Sequence, residues 1–157
     1  MDNINWGDLL FGFNGRINRA KYWLGILVCV VASIVASILG ALLGSMIGTL
    51  LTGVVSLATL IISIAIGVKR LHDRDKSGWW LLLFLLAPSV LLGFGLMASV
   101  FGLAVGGSGT TGILMSLAGT AIAIWAFVEL GCLRGTVGPN RYGPDPLGGN
   151  IAMAPRV

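Results

Sequence analysis

Between Lys69 and Lys76 the chain reads "KRLHDRDK", which gathers six of its sixteen charged residues and its only histidine. His72 beside Asp73 is the pairing a general base or a metal ligand would use. A metal needs more donors, however, and no second His or Cys stands at ligand spacing. A hydrogen-bonded structural role for His72 is therefore the preferred reading, with Asp73 orienting its ring or pairing with Arg74 or Lys69. Arg70, Arg74 and Lys76 add the charge for an anion. Lys69/Asp73 and Arg70/Arg74 fall at i, i+4 spacing, so the helix carrying them is expected to continue into this stretch.

A second polar segment, "GPNRYGPDP" (138–146), holds three prolines and two glycines in nine residues. It cannot be a helix, and its Asn140 and Asp145 suit consecutive turns. Two readings stand side by side. Either it is a rigid terminator over the helix ends, or Arg141, Tyr142 and Asp145 complete a polar site with the "RLHDR" stretch. In both, the tail is expected to fold back, with Asp145 or Asp73 accepting from an arginine. Glu129 is the one remaining ionisable group of note. It lies five residues before Arg134, near the end of an apolar run, and an ion pair with Arg70 or Arg74 is preferred over a proton or cation site. Cys29 and Cys132 have no CxxC partner and read as small buried packing residues. Nucleophile-elbow, zincin and phosphate-loop motifs are absent from the sequence, so no cofactor and no metal is expected.

The elements that position these groups are set by composition. With 56% hydrophobic and 10% charged residues, the chain cannot cover itself with a water-soluble surface. No charge interrupts Tyr22–Val68, and only Glu129 interrupts Trp79–Leu133. At roughly 20 residues per crossing, four spans are expected, at 23–43, 50–68, 79–101 and 112–133. Turns near Gly44–Gly48 and at the Gly-rich 102–112 would join them into two hairpins. All ten Lys and Arg then fall in the N-terminal segment, the loop at 69–78 or the tail at 134–157, and none in the two outer loops. The positive-inside rule puts those three segments, and both termini, in the cytoplasm. Because the cationic groups border apolar runs, membrane topology explains them better than nucleic-acid binding does.

Shorter signals refine this picture. Trp6, Leu9, Leu10 and Phe13 recur at i, i+3, i+4 and i+7, the apolar face of a short interfacial helix. Ala36, Gly40, Gly44 and Gly48 repeat every four residues, a close-packing signal for which intramolecular use is preferred over self-association. Asn18 and Ser77 are placed to cap helices, and Pro88 is expected to kink the third span.

"FNGRINRAKYW" (13–23), "VKRLHDRDKSGWW" (68–80) and "GPNRYGPDP" together resemble the bacterial inner-membrane family called domain of unknown function 805, over about residues 10–147. That pattern has glycine where this chain has Asp75, and an acidic partner to the first cap where this chain has Lys21. The resemblance implies a small multi-spanning protein and supplies no activity, substrate or catalytic residue.

The expectation is an all-α, single-domain inner-membrane protein of four transmembrane helices, both termini inside, with a non-enzymatic role. Its candidate polar face comprises Arg70, His72, Asp73, Arg74, Lys76, Glu129, Arg141, Tyr142 and Asp145. The expected partners are the bilayer, anionic phospholipid headgroups and a partner membrane protein or a second copy. The rivals are a small-solute or ion transporter centred on Glu129, and a membrane-embedded enzyme using His72, Asp73, Arg141 and Asp145.

Overall fold

The protein is described by a computed structural model covering residues 5–106 and 108–148. Positions 149–157 of the expected tail, with Arg156, lie outside the described residues. The regular structure consists of helices α1 (Trp6–Phe11), α2 (Arg19–Leu43), α3 (Ser45–Asp73), α4 (Trp80–Ala104) and α5 (Thr110–Phe127). A wider π-helical turn, Val128–Cys132, extends α5. Four of these stretches are long and apolar enough to cross a membrane. The chain forms two compact units. The first runs to Ser77 and resumes at Arg134; the second is Gly78–Leu133.

In the first unit α2 and α3 form a hairpin whose only connecting residue is Gly44, at φ +83°. The expected five-residue turn is thus replaced by the tightest reversal available, and α3 begins at Ser45 rather than near Leu50. Such a φ is open to glycine at no steric cost. The four-residue spacing of small residues therefore belongs to two helices, and Gly40 of α2 faces Gly48 and Thr52 of α3. A Cβ at Gly48 would collide with the Gly40 backbone, and one at Gly40 would strike the Thr52 hydroxyl, so these small residues serve packing within the hairpin. Lipid offers no hydrophobic drive for helices to associate, which makes close backbone approach the stabilising term. Outward side chains such as Leu27, Val31, Ile34 and Ile38 remain exposed, as a bilayer-facing surface requires.

Towards the charged end of the same hairpin the packing becomes that of a soluble core. Leu9, Ile17 and Ile66 are buried together, with Tyr22 and Ile26 against them. Each such side chain contributes about 1.5–3 kcal/mol through burial. Helix α1 is therefore docked on α3 through Leu9. Asn5 caps α1 by accepting from the Asp8 amide at 3.2 Å, and Asn18 caps α2 by accepting from the Lys21 amide at 2.9 Å.

The second unit pairs α4 with α5. Gly95 meets Gly112 and Ser116, while Gly119 lies against Leu91 and Leu92. Near the start of α4, Phe84 and Trp80 stack edge-on to Trp125, with centroids 5.1 and 6.0 Å apart. Pro88 is buried inside α4, which runs unbroken through it. The cap position of α4 is Trp79, whose side chain makes no cap bond. Cys29 is buried, whereas Cys132 is exposed, which limits the packing reading to the first of the two.

Candidate functional site

The polar residues of the first unit converge at the charged end of α3. That helix does continue through the basic stretch and ends at Asp73 in a Schellman arrangement. The Lys76 amide donates to the Leu71 carbonyl at 2.9 Å, and the Asp75 amide donates to that of His72 at 3.0 Å. In this motif the residue after the cap takes the left-handed conformation, and Asp75 does so at φ +56°. The glycine of the family pattern at this position thus has a conformational reason, and Asp75 occupies it as one of the few residue types that tolerate it.

Asp73 is the acceptor around which the site is built. Its Oδ1 receives Arg16 Nε at 3.2 Å and Arg16 Nη2 at 3.1 Å, and its Oδ2 receives Arg70 Nη1. The side chains of Arg16, Arg70 and Asp73 are 1, 0 and 5% exposed. Asp73 thus accepts from two cations, and the tail's backbone supplies further acceptors to Arg16. Arg16 Nη1 donates to the carbonyls of Gly138 (2.8 Å) and Gly143 (3.3 Å), and Nη2 donates to that of Thr136 (2.7 Å). A guanidinium has five donors in a rigid fork and no acceptor, which matches a loop that turns several carbonyls inward. The tail also returns to α3 directly: the Thr136 amide donates to the Asp73 carbonyl at 2.8 Å, and Asn140 Nδ2 to that of His72 at 2.9 Å. Gly135 passes so close to the Asp73 carboxylate that a Cβ there would strike it.

The tail folds back onto the loop, but with other partners than the spacing suggested. Asp73 pairs with Arg16 and Arg70, not with Arg74, Lys69 or a tail arginine. Lys69 is 1% exposed and instead donates to the carbonyls of Asp8 and Leu9 (3.0 Å to Leu9). These are carbonyls near the C-terminal end of α1, and that of Asp8 also accepts from the Gly12 amide at 3.0 Å. Arg74 donates to the Arg134 carbonyl at 2.7 Å. The arginine–aspartate link between tail and loop is Arg141 with Asp75, at 3.1 Å and with both side chains exposed, a geometry worth about 0–1 kcal/mol.

Asp145 accepts within the tail, from the amides of Gly138 at 3.0 Å and Leu147 at 2.9 Å. Those two bonds, the Leu147 one foremost, hold its carboxyl below the usual aspartate value. His72 stacks on Tyr142 with centroids 3.8 Å apart and planes within 5°. Its Nδ1 lies 3.3 Å from the Gly15 carbonyl, so that nitrogen is the donor. Lys76 contributes its amide to the Schellman turn. Glu129 lies in the second unit, buried in the π-helical turn.

Arg16, Lys69, Thr136 and Asn140 are the residues that sequence reasoning missed. Their partners are mostly backbone carbonyls of distant or irregular segments, which leave no spacing to read. The space among Asn18, Asp73, Gly135, Thr136 and Asp145 amounts to about 10 Å³, the volume of about one probe-sized water. No group of three His, Cys, Asp or Glu able to hold a metal occurs among the described residues.

The three segments that meet here span most of what the chain shares with known proteins. A family described as "Protein of unknown function (DUF805)" matches residues 10–144. Among relatives from Escherichia coli K12, "Uncharacterized protein YiiR" is 33% identical over 87% of this chain and 86% of its own length. "Inner membrane protein YhaH" is 31% identical over 86% of this chain and 87% of its own, and "Inner membrane protein YhaI" is 28% identical over 88% and 89%. No solved structure matches. With four apolar helices and relatives of the inner membrane, the chain is a bacterial inner-membrane protein, and it belongs to the DUF805 family.

Proposed function

We propose that this protein is a non-enzymatic binding module, with both termini in the cytoplasm, that presents a rigid basic cap to anionic headgroups and to an acidic partner protein. The observation that carries this reading is the closure of the Arg16–Asp73–Arg70 network by the tail carbonyls of Thr136, Gly138 and Gly143. Groups that could have done acid–base chemistry are spent on holding three chain segments together. Arg19, Arg134 and Arg141 remain exposed at the cap. Juxtamembrane cations gain about 1 kcal/mol each from an anionic leaflet. The placement of every Lys and Arg outside the two outer loops supports the orientation.

The test is native mass spectrometry of protein released from nanodiscs of mixed phosphatidylethanolamine and phosphatidylglycerol, paired with a photo-crosslinker at exposed Val137 in cells. Retained phosphatidylglycerol that falls in an Arg19→Gln, Arg134→Gln, Arg141→Gln variant supports the lipid arm. A discrete cross-linked protein supports the partner arm. No lipid preference and no adduct would overturn the reading.

One observation favours a second reading, a proton or cation path. Glu129 is 4% exposed inside a π-helical turn, and such turns recur at functional sites. Flux in proteoliposomes that Glu129→Gln eliminates would replace the binding module by a transporter.

A further inference from the structure

Helix α1 is held too firmly to be a loose end. Its N-terminus is capped by Asn5, its last-turn carbonyls are held by Lys69, and Leu9, 3% exposed, plugs it between Ile17 and Ile66. Around this anchored side the large aromatics face outward: Trp6, Phe11 and Phe13 are 46, 57 and 46% exposed. At about 100° per residue, Trp6 and Leu10 share one flank of α1 while Asp8 lies on the other. Phe13 follows two residues beyond the helix end.

Lys69 sits where the apolar stretch of α3 gives way to charge, so its bonds to Asp8 and Leu9 fix α1 at that level along the hairpin. The aromatic flank also runs on into a surface that already faces lipid. Tyr22 packs against the Leu9 cluster, and Trp23, 40% exposed, meets Tyr22 edge-on at 5.7 Å. Below Trp23 the large exposed side chains of α2 are aliphatic, among them Leu27, Val30 and Val31. Tryptophan at the end of an apolar span is characteristic of the headgroup level.

We propose that α1 is a membrane-surface anchor, with Trp6 and Phe13 in the headgroup–acyl boundary of the leaflet beside the cap and Asp8 on the water side. This requires only that α2 and α3 cross a membrane, not the binding role proposed above. Its effect is to set the depth of the cap, since Lys69 and Leu9 make α1 and α3 one body.

Site-directed spin labelling tests it. With Cys29→Ala and Cys132→Ser as background, single cysteines at positions 6, 8 and 13 are labelled and the protein is placed in lipid nanodiscs. Labels at 6 and 13 should relax faster with lipid-soluble oxygen than with a water-soluble nickel chelate, and the label at 8 the reverse. A nickel response at 6 and 13 equal to that at 8 would overturn the proposal. So would protection of 6 and 13 from both reagents, which would mean that protein, from a second copy or elsewhere in the chain, covers this face. Brominated-lipid quenching of wild-type fluorescence, compared with Trp6→Phe, gives a second reading with the native cysteines in place. The quenchable signal should fall with Trp6 removed, and an unchanged signal would also sink the anchor.

Discussion

Asp73 accepts from two arginines that water barely reaches, so removing its charge takes a buried anion away from both. Breaking a buried ionic cluster by deleting one partner costs about 3–5 kcal/mol. Asp73→Asn should therefore lower unfolding free energy in detergent by that order, and a change under about 1 kcal/mol would contradict the network. Asp145 makes a subtler prediction. Its carboxylate accepts from the Gly138 and Leu147 amides and is held below the usual aspartate value. A depressed carboxyl pKa means that its contribution is complete above the unfolded value and is lost as pH falls through the folded one. The Gly138 and Leu147 amide shifts should titrate together, with a midpoint below about pH 4, and Asp145→Asn should abolish that step. A midpoint at or above the ordinary aspartate value would show that those bonds are not made. Of these residues, Asp73 and Asp145 were legible as polar groups of the right kind. Asp145's bonds to nearby turn amides were legible too, whereas Arg16 was not, because it lies 57 positions from Asp73 and reaches the tail through backbone carbonyls.

At the scale of elements, the sequence was most informative where one local rule acts alone. Asn18 was readable as a cap because its partner is three residues away. The spans were readable because charge is excluded from them. The end of α2 was not, since 43–50 holds small and apolar residues that continue a helix as readily as they interrupt it, and only the positive φ of Gly44 decides. The C-terminus of α3 combines both cases. A Schellman end fits the glycine of the family pattern, yet this chain has Asp75 there with φ +56°. A left-handed conformation costs an L-residue about 1–2 kcal/mol, with Asp among the more tolerant. The exposed pair with Arg141 returns no more than about 1 kcal/mol. The Arg141 Nη2 bond to the Asp75 carbonyl, at 2.7 Å, survives substitution. Asp75→Gly should thus leave stability unchanged or raise it by up to about 1 kcal/mol in a thermal melt. A loss larger than that would mean that the Arg141 pair, rather than the turn, governs this corner.

For the whole molecule, the account is that three segments far apart in sequence close into one cap on the first hairpin, with Arg16 as the residue all three share. Hydropathy and charge placed those segments outside the apolar stretches of the sequence. They could not show that the segments lock together, because an irregular tail rich in Pro and Gly has no periodicity and its backbone must find partners case by case. The most direct measurement is hydrogen exchange of the tail amides in nanodiscs, comparing the wild type with Arg16→Lys. An ammonium keeps the charge but not the fork of five donors. The wild-type amides of Thr136, Asn140 and Gly143, which donate to Asp73, Gly143 and Asn140, should be protected. In Arg16→Lys they should exchange at least severalfold faster while the α2–α3 hairpin stays protected. Wild-type tail amides that already exchange at the rate of an unstructured peptide, or an Arg16→Lys tail as protected as the wild type, would contradict the closed cap.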